Sequence, residues 1–470
     1  MKLVEQLLDH AEHVRFAALP AAAVQAATGF ITDSIGVGLA GSRHPRVAEV
    51  AAAAAGWGQG LEARDWATGR RWPAPTAAML NAYQIHNQEF DCVHERAVVH
   101  PLATILPALV AQAERQSAAG RPASGAALIE ALVLAVDVAT TLGCAQTAPM
   151  RFFRPAMCGA LGATLGLAKL AACDRTQMAD ALGIAYSQLA GTMQAHTEGS
   201  PMLALQVGMA SRAAVVSLDL ALAGFSGPRD VLEGPFGYFD LFDAPLAPRL
   251  AQVQAEFAQL GHTWRVTELS HKPFPSGRAA HGALDGLGRL MAQHGFTADQ
   301  VRRVELAAPP LILRLVGRPV RAGMDVNYAR LCLGYLAATF MRRGSVDLSD
   351  FSPAALADPQ RHALAARVFA VPNTTTDPNA LAPQSLRVEL LDGQQHAIHL
   401  PAVLGHPNRP FSATAQHAKF DACCAHAGLT PAATALLAQA CADLPTLRDL
   451  RPWISLMQCR ADTANPHPMP

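Results

Sequence analysis

From residue 1 to about 264 almost every segment of the chain is Ala/Leu-rich and broken by Gly and Pro, which restricts this part to packed helices. Alanine is the best helix former, and its small side chain lets helix axes approach closely. Leu3, Val4, Leu7 and Leu8 recur at helical spacing and predict an amphipathic opening helix. Ser124 is placed to cap a helix starting near Gly125, with Gly143 where its stop is expected. Further helices are expected over roughly 159–172 and from about Thr176. The Gly/Pro-broken, aromatic stretch Gly224–Phe242 predicts a packed connection instead.

After Trp264 the texture changes. Arg265–Leu269, Val301–Ala307 and Ser385–Leu400 favour β-branched and alternating residues, the last as a hairpin turning at Asp392–Gly393. Helices are expected between them near Ala279–His294 and Asn327–Arg342, and Ala-rich helices return over Ala413–Ala425 and Pro431–Ala442. The expected fold class is mainly α: a large all-helical domain over 1–264, completed by about 407–460, with a smaller α+β lid domain over 265–406. The Pro-containing last residues are expected to fray.

Composition narrows the function classes. Hydrophobic residues make up 51% and charged residues 16%, with 37 basic and 37 acidic side chains. So little charge argues against disorder, and the zero balance removes the electrostatic footprint of a nucleic-acid or anionic-membrane binder. The stretches ALIEALVLAVDVATTLG and MASRAAVVSLDLALAGF carry Glu130, Asp137, Arg212 and Asp219. Those charges predict core or dimer-interface helices rather than membrane spans. Glu5 and Asp9 interrupt the opening where a secretory signal would need an apolar run. Nine cysteines without a CxxC pair predict neither a disulfide framework nor a zinc ribbon, and fit a reducing cytoplasm.

Within this apolar chain, Asn81–Pro101 gathers His86, Glu89, Asp91, His94, Glu95 and His100. Burying carboxylates and imidazoles is costly unless they pair with one another, so such a cluster is either a site or a solvated loop. Phe90, Cys92, Val93, Val98 and Val99 thread apolar residues through it, which favours a site. The residues suit general acid–base chemistry, or a metal held by His86, Asp91, His94 and His100, although no HExxH spacing is present. Two further patches stand out. Thr192–Met202 places His196 and Glu198 in a Gly-containing break between helices. Ser270–His281 presents Lys272, one of only four lysines, then Pro273, Pro275, Arg278 and His281 at the texture change. A lysine on a stiffened turn beside a cleft can clamp a carboxylate.

These segments, with CGALGATLGLAKL (Cys158–Leu170) and GFSGP…LEGPFGYF, resemble the MmgE/PrpD family in the same order. That family includes 2-methylcitrate dehydratase, cis-aconitate decarboxylase and iminodisuccinate epimerase. The resemblance implies a homodimer and a site at the domain junction that uses neither cofactor nor metal. Its HxxDFDDTH…HP motif corresponds here to His86-Asn-Gln-Glu89-Phe-Asp91-Cys92-Val93-His94, then His100-Pro101, and its KPYP lysine to Lys272. Two positions depart: the family's second catalytic histidine falls on Arg154, and another lysine falls near Leu203. Guanidinium stays protonated and cannot shuttle a proton, so His196 and Glu198 are candidate replacements. The resemblance therefore implies proton transfer beside a carboxylate of a small di- or tricarboxylic acid. Lys272 and Arg278 are expected on the carboxylates, with Arg154, His196, Glu198 and His281 as further substrate contacts. His100 and His94 are expected to move the proton, and Glu89 and Asp91 to orient the imidazoles. A 2-methylcitrate dehydratase-like lyase is expected; the alternatives are a decarboxylase, an epimerase, or a member that binds without catalysis.

Overall fold

A computed structural model describes residues 1–459, so the terminal stretch expected to fray lies outside the described residues. The opening helix forms over Leu3–His13 with Leu3, Val4, Leu7 and Leu8 all buried. Ser124 caps helix Gly125–Cys144 by accepting from the Ala127 N–H. The next long helix, Arg154–Leu170, starts five residues before the expected boundary, because Pro155 sits in its first turn, where a missing N–H costs nothing. Gly224–Phe242 is mostly turns, closed by a short helix at Tyr238–Phe242.

The small sheet has four strands in the order Val368–Pro372, Val301–Ala308, Gln384–Leu390, Gln395–Leu400. The last two are the expected hairpin, paired antiparallel with Leu386 opposite Ile398. Val368–Pro372 joins Val301–Ala308 in parallel and was not anticipated; its five residues are too few for a clear alternation. Arg265–Leu269 is a correction: Arg265–Glu268 forms a 3-10 turn, not a strand. The backbone N–H of Arg265 donates to buried Asp137 and its guanidinium to Thr141 and Glu256, and these side-chain anchors fix the local course. Asn327–Arg342 likewise splits into Val326–Ala329 and Leu333–Arg343.

Two large apolar cores result, beside three small clusters. The larger is built from the helices before residue 264 and also takes in Phe420, Cys424, Leu437 and Cys441 from Ala413–His426 and Pro431–Ala442. Lys419 anchors the first of these helices through Asp33 at 2.7 Å and the Phe90 carbonyl at 2.8 Å. The smaller core joins His281–His294 and Leu333–Arg343 to the sheet, and it captures Val98 and Met150 from the first part of the chain. All nine cysteines are free and buried.

Membrane-span criteria need a correction. By length and composition, Gly125–Cys144 and Met202–Leu222 are long and apolar enough to cross a bilayer despite their charges, although 83% and 50% of their apolar windows are buried inside the fold.

Candidate active site

The acidic–imidazole cluster lies on the loop between helices Ala74–His86 and Pro101–Ala118. His86 is the last residue of the first helix; His100 is the N-cap of the second, with Pro101 in its first turn. Between them the backbone is forced: Glu89 and Val98 adopt φ of 51° and 53°. The left-handed region is costly for a β-branched residue such as Val98 and tends to persist where surrounding contacts over-determine it. Those contacts come from the segment near residue 270. Val93 and Ser270 form an isolated antiparallel bridge, N–H to carbonyl at 3.1 and 2.8 Å. Lys272 donates to the Glu89 carbonyl and carboxylate at 3.0 Å each and lies 3.8 Å from Asp91. Stretches some 180 residues apart thus face each other across the seam of the two cores.

At the centre, one oxygen of Asp91 lies 3.0 Å from Nδ1 of His86 and 3.2 Å from Nδ1 of His100, whose rings are 4.9 Å apart. Burial alone would lower the His86 pKa, but Asp91 and Glu89 outweigh it and raise it overall. Burial and then Lys272 lower the pKa of His100. Burial also works against the charged carboxylates, yet Lys272, His86 and His100 hold Glu89 at about 2 and Asp91 well below its ordinary value. The arrangement is two imidazoles on one carboxylate, one with its pKa raised and the other with its pKa lowered.

A narrow cavity opens on this pair, lined by His86, Glu89, His100 and His196 against apolar walls that include Val98, Phe153, Leu203 and Leu331. Leu203, where the family places a lysine, is therefore a greasy wall. Arg154 is buried beside Tyr238 and Cys158; it donates to the Ala148 carbonyl, its Nε and Nη1 have no partner, and it is not part of the lining.

Several expected site residues have other employment. His94 donates from Nε2 to Glu268 at 2.9 Å and accepts the Ala97 N–H at Nδ1, 3.1 Å, so both nitrogens hold the loop and neither reaches the cavity. Arg278 borders the cavity, but its guanidinium is spent on Glu95 at 2.7 and 2.9 Å and on the carbonyls of Val403 and Leu404. His281 is fully buried against Ser276 at 3.1 Å and lies outside the lining. Glu198 is exposed, at the end of helix Gln194–Glu198. Lys272 is already neutralised by Glu89. Arg318, not anticipated from sequence, packs against His196. It follows Gly317 in a run of ordinary surface-looking arginines, and no local pattern marks it.

Of the four expected metal ligands, His86, Asp91 and His100 come together, with candidate atoms within 4.8 Å of one another, while His94 is turned away. The donor set could hold a cation, but the Lys272 ammonium beside Asp91 and the raised pKa of His86 favour protons there.

Such a fold and site define a mainly helical protein with a buried histidine–carboxylate centre at the seam between two cores. The MmgE/PrpD N-terminal domain matches residues 5–250 and the MmgE/PrpD C-terminal domain matches residues 274–444. The chain belongs to the MmgE/PrpD family. It is 27% identical over 398 residues to cis-aconitate decarboxylase-like protein oryM of Aspergillus oryzae, covering 80% of this chain and 81% of that protein. It is 26% identical over 282 residues to cis-aconitate decarboxylase of Aspergillus terreus, covering 59% and 57%.

Proposed function

We propose that the chain is a lyase acting beside a carboxylate of a small di- or tricarboxylic acid, with His100 and His86 as its proton-transfer pair. The observation that carries this is the single Asp91 oxygen shared by the two imidazoles, whose pKa values move in opposite directions at the cavity wall. Groups pushed apart in this way make natural acid and base partners. Neutral His100 takes a proton; the imidazolium of His86 returns one. Asp91 sets the orientation of both rings, and Glu89 with Lys272 keeps the surroundings balanced in charge.

Decarboxylation is the favoured outcome. The carbon–CO2 bond breaks, its electron pair passes to the carbon skeleton, and His86 supplies the proton that quenches it. Two things support it: the cis-aconitate decarboxylase relatives, and the apolar walls at Val98, Phe153, Leu203 and Leu331, since a low-dielectric setting favours the loss of a carboxylate charge. Dehydration of a 2-methylcitrate-like acid is the second outcome, favoured by the same pair: His100 removes the carbon-bound proton while His86 protonates the departing hydroxyl.

Incubation with cis-aconitate and with 2-methylcitrate, following CO2 release and alkene absorbance separately, distinguishes the two. His86→Gln is expected to lower kcat/KM by about 100-fold or more for either acid, and His100→Ala to do so for the dehydration. Failure of the wild-type chain to turn over either acid, or unchanged turnover in His86→Gln, would overturn the proposal. A homodimer is proposed on the family resemblance, and a sedimentation mass of one chain would refute it.

A further inference from the structure

The proposed reaction leaves one polar group of the cavity without a task. His196 lines the same cavity as His86, Glu89 and His100, is 5% exposed, and its Nε2 is buried with no partner at full hydrogen-bond geometry, the nearby Leu315 carbonyl and Glu89 carboxylate acting only weakly on the ring. Its other nitrogen is engaged: Nη2 of Arg318 lies 3.3 Å from Nδ1 and 2.7 Å from the His196 carbonyl. A guanidinium can only donate, so Nδ1 is the acceptor and the ring proton must sit on Nε2. Arg318 is held over the ring of Tyr328 at 4.9 Å and leaves Nη1 without a partner. Burial, then Arg318, keeps the His196 pKa down at about 4, so the ring is a neutral donor rather than a base. Meanwhile both cations expected to clamp substrate, Lys272 and Arg278, are consumed by Glu89 and Glu95.

We propose that the Nε2–H of His196, with its tautomer fixed by Arg318, binds a carboxylate of the substrate remote from the reacting carbon. This deepens the lyase proposal and rests on it for the identity of the cavity. The ligand class is an organic acid with at least two carboxylates, one beside the His86–His100 pair and one at His196. Arg318 is a positioning residue, supplying positive charge behind the ring and holding the proton on the nitrogen that faces the cavity. A buried N–H aimed at an anion strengthens in a site from which water is excluded.

The test is binding of tricarballylate, a saturated tricarboxylate with no hydroxyl to lose, by calorimetry, beside turnover of cis-aconitate. His196→Leu is expected to raise the tricarballylate Kd and the KM about tenfold with kcat within about twofold, the loss typical of a hydrogen bond to a charged group. His196→Gln, which keeps an N–H donor, is expected to recover most of the affinity. Arg318→Met is expected to weaken binding as well, and serves as the test should His196→Leu fail to fold. Unchanged Kd in these variants, equal impairment of the Leu and Gln variants, or no binding of tricarballylate by the wild-type chain would overturn the inference. Binding that depends on His196 without any turnover would overturn the lyase proposal and leave this one standing.

Discussion

At the scale of single residues, the site is an ion network in which every charge leans on another. Lys272 is fully buried and has two carboxylates for neighbours, so Lys272→Met would leave Glu89 and Asp91 with only the two imidazoles to offset their charge. Removing one member of such a buried set costs about 3–5 kcal/mol, and a correspondingly lower midpoint is expected in urea titration. Asp91→Asn should keep the shape of the loop but strip the orienting charge from both imidazoles. A fall in kcat of about 100-fold or more is expected, with KM little changed. The histidines also set a pH limit. His44, His196 and His271 are each held at about 4 by burial, from an ordinary 6.5. Below pH 6.5 the unfolded chain takes up protons that the folded chain refuses until about pH 4. Stability is therefore full above 6.5 and drains as the pH falls toward 4. Glu89, lowered from 4.5 to about 2, extends the loss downward: its contribution is present above 4.5 and disappears as the pH falls through 2. Thermal melts should show Tm dropping across the histidine window; a flat profile there would mean that these rings are not excluded from protonation.

At the scale of elements, the CGALGATLGLAKL segment shows why texture alone foretold so much of the fold. Helix Arg154–Leu170 turns Gly162 and Gly166 to helix Gly125–Cys144, where a Cβ at Gly162 would meet the Ala135 carbonyl at 2.4 Å. Backbones this close admit only glycine, and the contact fixes where Phe153 and Pro155 enter the cavity wall. Gly162→Val is expected to cost about 1–3 kcal/mol through overpacking. Gly29→Ala, in a helix with nothing within 4 Å of the new Cβ, is expected to stabilise by about 0.4–1 kcal/mol; paired urea titrations check both signs. The long helices and the Asp392–Gly393 hairpin were legible because periodicity and turn chemistry are local. Arg265–Glu268 was not: its β-branched composition favours a strand, but distant Asp137, Thr141 and Glu256 take up its polar groups. The same distinction separates the site residues. His86, Glu89, Asp91 and His100 could be found because they crowd one stretch of sequence. The duties of His94, Arg278 and His281 depend on Glu268, Glu95 and Ser276, which only the folded chain brings to them. Arg318 is recognisable only through its contact with His196.

At the scale of the whole molecule, catalysis and cohesion use the same seam. The larger core carries the His86–His100 loop, and the smaller carries Phe274 and the helix beginning at His281. The junction between them is polar: Lys272 with Glu89, and Arg278 with Glu95, to which Ser270 also donates at 2.7 Å. A polar seam can transmit order only if its pairs are satisfied on both sides, because a buried charge left alone costs more than the pair contributes. The Glu95–Arg278 pair is the cleaner probe of this coupling, since Glu95 lies outside the cavity lining. Arg278→Met should destabilise by about 3–5 kcal/mol, because Glu95 then keeps only the Ser270 hydroxyl and the nearby His406. Glu95→Gln should cost a similar amount by stranding the guanidinium. If the two charges are destabilising mainly when unpaired, the double variant should cost less than the sum of the singles, with an interaction of about 0.5–3 kcal/mol. Calorimetry adds the decisive readout. A chain whose cores are joined through this pair should melt in one cooperative transition, and the single variants should broaden or split it as the smaller core loosens first. Additive energies together with unchanged, single transitions would show that the cores are held by their apolar contacts, and that the Glu95–Arg278 pair only seals the edge of the cavity.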